Sequence, residues 1–469
     1  MDGQQERARA GSSFETKKTQ EFAFTSDEGR AAAITPGDQF EGYSRTSVTG
    51  IPVIAVFDAE RRQTRELQDG QSGFVVLERT PFYLESGGQV SDSGVIANEA
   101  SGASARVTGL VRLAAGAPRA HRVTVAGGSL KPRDIVTAAV NDDIRDATRR
   151  NHTATHLLHA ALRQVLGTHV KQAGSLVSPD RLRFDFQHFA AMTREQLDRI
   201  ERIVNEQVYR NTPVQTEVRS TEDAMASGAM ALFGEKYGDR VRVVSIGDGS
   251  FSKELCGGTH VRATGDIGCF LVTQEGGVAA GVRRIEALTG AGAVAWHQQQ
   301  RHALHSVVSA LNTTPEQSVE IVQRLQADAK RLAREVDQLK MKAALGGGGR
   351  ADSGGQDDTR DVKGVKVIAR RVSGLEKGAL RGLSDSLRDR LGSGIIVIAS
   401  EHDGKVALVV SVTKDLTSRI QAGRIVKEIA PIVGGGGGGR PDFAEAGGKD
   451  PSKIDELLSK APGIIETLL

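Results

Sequence analysis

Residues 142–167, DDIRDATRRNHTATHLLHAALRQVLG, decide how the chain is read. The strand-like patterning before them gives way at Asp142 to a helix that Gly167 closes. His152 and His156 are four apart, so both imidazoles leave one helix face about 6 Å apart at Cβ, which suits two ligands of one metal. The glutamate of an HExxH site is absent, because Thr153 stands in its place and supplies no general base. About a hundred residues on, Cys256 and His260 repeat the spacing around two glycines in KELCGGTHV, residues 253–261. A thiolate and a third imidazole complete an N/S set of four that fits one zinc ion. The alternative is a buried structural thiol among unrelated surface histidines. His159 shares the helix face and reads as packing or support behind the ligands. Thr155 lies between the two helical ligands and offers its hydroxyl either to a pocket or to its own helix backbone. Cys269, inside the apolar run GCFLV, reads as a core thiol.

Working outward, the fold class is α+β, in six stretches. Residues 1–40 are charged and weakly patterned and read as an N-terminal arm, with a short helix in QQERARA. Residues 41–141 hold β-branched runs broken by glycine, GIPVIAVFD, ARVTGLVRL and HRVTVAGGSL among them, and read as a small barrel or open sheet. Residues 142–291 mix helices with strands around the proposed metal site; MTREQLDRIERIVNEQVYRN and TEDAMASGAMALFGEKYG read as two further helices. Residues 292–345 form a helical arm interrupted near Pro315. Its Val322, Leu325, Ala329, Leu332, Val336, Leu339 and Ala343 alternate steps of three and four, as in a coiled-coil seam or one amphipathic helix packed on its own domain. Residues 346–360 have the composition of a linker, and 361–469 read as a small α/β domain.

Composition excludes several classes. At 469 residues the chain holds about three domains. Two cysteines exclude a disulfide scaffold and point to a reducing compartment, the cytoplasm, with an organelle matrix reading the same. No apolar run reaches the roughly 18 residues of a membrane span, and the polar N-terminus lacks a signal-peptide core. Lys+Arg 61 against Asp+Glu 58 leaves a net charge of +3, so any nucleic-acid affinity must come from placed groups. The 55 glycines imply many turns and close approaches of main chain.

As a set, FYLESGGQVSDSG, HTATHLL, CGGTH and GVRRIEALTG resemble the editing domain of alanyl-tRNA synthetase and of free-standing alanyl-tRNA editing proteins. The tail GGGGGGRPDFAEAGGKDPSKIDELL resembles the C-terminal domain of that synthetase, a module shared with DHH-type phosphoesterases. The resemblance implies an aminoacyl-tRNA hydrolase that clears serine or glycine from mischarged tRNA(Ala). It implies one zinc ion on His152, His156, Cys256 and His260, and the aminoacylated 3′ end of tRNA(Ala) as partner. It also places Gln172 at an editing-pocket position, with Thr155 beside it. On this reading Arg283 and Arg284 face phosphate or the terminal adenosine, the alternative being solvated or ion-paired arginines. SGGQVSDSG, residues 86–94, would bring its main chain near the CCA end, the alternative being a hairpin turn. The glycine run with Arg440 and Lys449 would meet tRNA phosphates, the alternative being a loop with incidental charges.

No ATP-binding motif of the synthetase's aminoacylation core is visible. The glycine run lacks a GK[ST] ending and has Asp450 where a hydroxyl belongs, so no alanyl-adenylate is expected. QQERARA resembles the link before the editing domain, favouring a C-terminal part of the synthetase over a free-standing editor. The competing function is a noncatalytic RNA-binding or oligomerisation module with a structural zinc. A DHH-type phosphoesterase is set aside because its Asp-rich motifs are not seen. A second copy of the chain, joined through the helical arm or the C-terminal domain, is a further candidate partner.

Overall fold

Alternation in GIPVIAVFD produces the strand Ser47–Asp58, whose Ile51, Val53 and Val56 point into one core. In the computed structural model, which describes residues 21–231, 238–345, 359–375, 377–402 and 404–469, this strand both opens and closes a barrel. Pairing runs from it through Ser72–Leu77, Arg119–Gly127, Ala103–Arg112, Gly94–Asn98 and Ile135–Val140, then back to Ser47–Asp58. All six strands are antiparallel, and closure removes the exposed edges an open sheet would leave.

The outer face of the same strand is also covered, by Phe22 and Ala33, which pack on Ala55, Phe57 and Phe74. Ala33 comes from helix α1 (Asp27–Ile34), whose first turn is capped by Ser26. This corrects the expectation of an arm over residues 1–40: from Phe22 onward the chain is part of the barrel's packing. Only a few apolar anchors do this, too few to set a period in the sequence. The QQERARA helix and linker residues 346–358 lie outside the described residues.

The chain divides into two units, Met1–Ala303 and Leu304–Leu469. In the first, the barrel is followed by helix α2 (Asp142–Leu166), whose N-cap is Asn141 and whose end is Gly167. Helix α3 (Arg194–Tyr209) starts in a reciprocal capping box of Thr193 and Gln196. Both helices pack through Leu157, Leu158, Ala161, Ile200 and Val204 onto Phe184, Phe186 and Ile285. Those three belong to an antiparallel sheet ordered Gln172–Val177, Leu182–Gln187, Val282–Thr289, Phe270–Ala279. A second sheet, Val214–Ser220, Arg240–Ile246 and Ser252–Leu255, ends beside Cys256. The helix expected over TEDAMASGAMALFGEKYG is cut short: α4 is Thr221–Ala226. Gly228 then turns with φ +81° and Met230 bridges to Glu254, so the segment feeds the sheet. Its continuation, residues 232–237, lies outside the described residues. Helix α5 (Gly290–Ala310) follows.

Helix α6 (Ser318–Leu345) begins after the break at Pro315. Its Val322, Leu325, Leu332, Val336 and Leu339 are solvent-exposed. In the second unit a six-stranded sheet runs Thr359–Val362, Val365–Ser373, Ile395–His402, Lys405–Val412, Phe443–Gly448, Gly436–Gly439. Its one parallel pair is connected through helix α7 (Lys377–Leu391), which covers one face with Leu380, Leu383 and Leu387. Helices α8 (Ala422–Ile429) and α9 (Ile454–Leu468) cover the other. The glycine run is therefore an edge strand, which corrects its reading as a loop. A Cβ on Gly435, Gly437 or Gly439 would collide with the backbone of the neighbouring strand, so glycine is required by the protein's own close approach. Among the described residues no helix is long and apolar enough to cross a membrane.

Two polar groups in the first unit carry stability. Arg145, in the first turns of α2, is fully buried: its guanidinium clasps Asp92 and donates to the carbonyls of Gly42 (2.7 Å) and Pro81 (2.8 Å). Removing it strands Asp92 in the interior, so Arg145→Ala should lower unfolding free energy by about 3–5 kcal/mol in urea titrations. His121, in the barrel wall, donates from Nδ1 to the Val75 carbonyl (2.9 Å) and accepts at Nε2 from Thr80 Oγ1 (2.7 Å). Burial pushes its pKa down to about 4. Since that lies below the unfolded value, the neutral ring's contribution is complete above about pH 6.5 and is lost as pH falls toward 4. The loss is about 3 kcal/mol, and a His121→Gln protein should lack this part of the pH dependence in denaturation curves at pH 7 and 4.5.

Candidate metal centre and adjoining pocket

Helix α2 is held at its start by Asn141 and by the Arg145–Asp92 clasp, so the turns that follow are fixed against the barrel. Two turns on, His152 and His156 project together, with ring centroids 5.4 Å apart. The loop after Leu255 brings Cys256 and His260 to them. His260 lies 4.4 Å from the His152 ring and 5.1 Å from that of His156. One ligand atom from each of the four lies within 4.8 Å of all the others. Gly258 is compulsory here, since a Cβ on it would run into the His152 ring.

The orientation of the rings is specific. His152 Nδ1 donates to Gln89 Oε1 (2.7 Å), His156 Nδ1 to Glu254 Oε2 (2.6 Å) and His260 Nδ1 to Thr153 Oγ1 (3.2 Å). Thr153 spends its own proton on the Arg149 carbonyl, and Gln89 spends its amide hydrogens on Thr259 Oγ1, so both present acceptors to the imidazoles. With each Nδ1 engaged, each Nε2 is turned inward. Nε2 of His152 and of His260 lie 3.4 and 3.3 Å from Cys256 Sγ, and Nε2 of His156 is buried without a hydrogen-bond partner. That orphaned nitrogen, with two others and a thiol at one point, fits a zinc ion.

The electrostatics agree with that fit. Burial opposes a charge on Cys256, but the surrounding imidazoles, His152 first, outweigh it and hold the thiol well below its usual value. Burial and the neighbouring His152 push His260 down to about 3, so it is present as the neutral ring a metal needs. Burial disfavours the Glu254 carboxylate too, yet His156 and His159 hold it at about 2. His156 is the exception: against its own burial, Glu254 and the Cys256 thiol raise it to about 10, so the ring holds a proton that a metal would have to displace.

Beside the cluster is a cavity of about 80 Å³, lined by Ser86, Thr155, His159, Gln172, Ser175 and Gly257 along with His152, His156 and Cys256. Gln172 and Thr155 both line this cavity. The Thr155 hydroxyl donates to the Asn151 carbonyl (2.8 Å), the helix bond given above as its alternative, and leaves its lone pairs for the cavity. Arg283 and Arg284 are not brought to this cavity. Arg284 makes a two-pronged pair with Asp185 (2.6 and 2.8 Å) and Arg283 pairs with Glu275, because both lie on a sheet strand opposite carboxylates. The expected contact with phosphate is corrected accordingly. Arg440 and Lys449 line separate cavities of the second unit, of about 1160 and 720 Å³; Arg440 is within 3.5 Å of Asp442. Cys269 is half-buried at the start of its strand.

The sequence reading gives Gln89, Thr153 and Glu254 no role as partners of the imidazoles. Their signal was present: a ligating imidazole needs a partner at its other nitrogen. Polar residues inside the quoted motifs, in SGGQVSDSG, HTATH and KELCGG, were the places to look.

Three family models match in order along the chain. They are tRNA synthetases class II (A) over residues 1–144, the threonyl and alanyl tRNA synthetase second additional domain over 241–286, and the DHHA1 domain over 364–467. An alanine–tRNA ligase of Solibacter usitatus is 44% identical over 480 residues, covering 100% of this chain and 52% of that protein. One of Halorhodospira halophila is 46% identical, covering 99% of the chain and 51% of that protein. Among solved structures, the C-Ala domain of Aquifex aeolicus alanyl-tRNA synthetase aligns at 30% identity over 23% of this chain and 97% of that one, with a TM-score of 0.22. The chain thus spans about half the length of the curated relatives it matches. The order of the three models and the end-to-end likeness to half of these ligases fit the C-terminal half of alanyl-tRNA synthetase.

Proposed function

We propose that this chain hydrolyses mischarged tRNA(Ala), removing seryl and glycyl groups from the 3′ end, with one zinc ion held by His152, His156, Cys256 and His260. The observation that carries the reading is the convergence of three Nε2 atoms and a low-pKa thiol, with His152, His156 and Cys256 of that set lining a small polar cavity. An aminoacyl ester is already an activated acyl group, so its hydrolysis needs a positioned water and stabilisation of charge on the carbonyl oxygen. When bound, zinc supplies a Lewis acid at the cavity edge. Gln172 orients water or the ester by its amide, and the lone pairs of Thr155 Oγ1 face the same space. The cavity size admits a small acyl group and excludes bulky side chains. Tight walls also limit competing solvent around the ester.

The second unit supplies the tRNA contact in this reading. Lys377, Lys405 and Lys449 line one cavity with the main chain of Gly434, Gly435 and Gly436, a mixture of cations and exposed backbone suited to phosphate. The exposed seam of α6 is the surface offered to a second copy. One observation favours the competing reading of a structural zinc: four protein ligands close a tetrahedral site.

One assay separates the two. Cys256→Ala should remain folded by thermal melting while deacylation of Ser-tRNA(Ala) drops by at least about 100-fold, and chelator should do the same to the parent chain. An unchanged rate sinks the metal assignment; unfolding of the variant favours the structural zinc. Gln89→Leu frees His152 to rotate, so zinc affinity in competition with a chromophoric chelator should weaken roughly 10–100-fold.

A further inference from the structure

Glu254 grips two imidazoles, and only one belongs to the metal-ligand set. His159, one turn beyond His156 on α2, donates from Nδ1 to Glu254 Oε1 at 3.0 Å and lies against Phe184, with ring centroids 5.3 Å apart. It is 2% exposed, and its Nε2 is buried without a hydrogen-bond partner. The ring forms part of the wall of the 80 Å³ cavity and, with Gln172, of a neighbouring cavity of about 330 Å³ that also includes Arg163 and Lys171. A buried polar atom left unpaired costs about 1–3 kcal/mol, and this one belongs to a ring in the cavity wall.

We infer that His159 is the residue that reads the side chain of the acyl group, a specificity-determining contact that rests on the hydrolase reading above. A carboxylate only accepts, so Nδ1 carries the hydrogen, the ring plane is fixed, and Nε2 is the remaining polar edge. A seryl hydroxyl both donates and accepts, so it satisfies Nε2 in either protonation form. An alanyl methyl satisfies it in neither. A glycyl group has no side chain to place there, so it presses nothing apolar on that edge, whereas an alanyl methyl does. Pockets that bond a hydroxyl discriminate far more strongly than pockets that sense one methyl by shape.

The test uses the full zinc-loaded chain and two variants, His159→Leu, which fills the space without a polar edge, and His159→Asn, which keeps one. Zinc content is measured by atomic absorption. Binding of the seryl and alanyl amides of 3′-amino-3′-deoxyadenosine is measured by calorimetry, and deacylation of seryl-, glycyl- and alanyl-tRNA(Ala) by release of labelled amino acid. With zinc retained, His159→Leu should cut the seryl-to-alanyl ratio at least about 100-fold in both binding and hydrolysis, and the glycyl-to-alanyl ratio about tenfold, while His159→Asn recovers part of the seryl preference. An unchanged ratio, an equal fall for all three acyl groups, or loss of zinc from both variants overturns the assignment. A parent chain that prefers the seryl amide yet cleaves no ester would overturn the hydrolase reading and leave the His159 contact standing.

Discussion

Three imidazoles and a thiol converge only because each ring is held from behind. Gln89 reaches His152 from the barrel, Glu254 reaches His156 from the three-stranded sheet, and Thr153 reaches His260 from α2 itself. Each anchor leaves its ring with one orientation, and each comes from a different part of the unit. The His/Cys cluster is thus a statement about the whole assembly of barrel, helix and sheet. The Arg145–Asp92 clasp belongs to the same logic, since it fixes the start of α2 to the barrel loop that also carries Gln89.

This explains how much could be read from the chain. His152/His156 and Cys256/His260 were legible because spacing of four on a helix, or around a glycine pair, encodes proximity locally. The barrel was legible from β-branched runs broken by glycine, with its closure left open between two forms. Glu254 and Gln89 stand inside quoted motifs, but nothing local says which imidazole, 98 and 63 positions away, each one supports. The covering of the barrel by Phe22 and Ala33 failed to register for the same reason: isolated anchors carry no period.

Glycine misled, and arginine was left open. Glycines were read as places where backbone meets RNA, yet at Gly258 the close neighbour is the His152 ring and along Gly435–Gly439 it is an adjacent strand. For Arg283 and Arg284 the sequence leaves a phosphate contact and an ion pair open, and the fold pairs them with Glu275 and Asp185. A chain with net charge +3 and nearly equal numbers of each sign has many such pairs open to it. Composition counts the charges before the fold has paired them.

The same accounting bears on how a small polar pocket can discriminate at all. Around the cavity most polar atoms already have partners: the Thr155 proton is spent on Asn151, Glu254 on two histidines, Gln89 on Thr259 and His152. A pocket rich in unspent donors and acceptors would bind water well and tell one ligand from another poorly. Among the described residues, the buried atoms around this cavity without partners are the Nε2 edges of His156 and His159, both oriented by Glu254. On the proposed reading, selectivity between acyl groups that differ by a single oxygen rests on the His159 edge, with Glu254 fixing which nitrogen it presents.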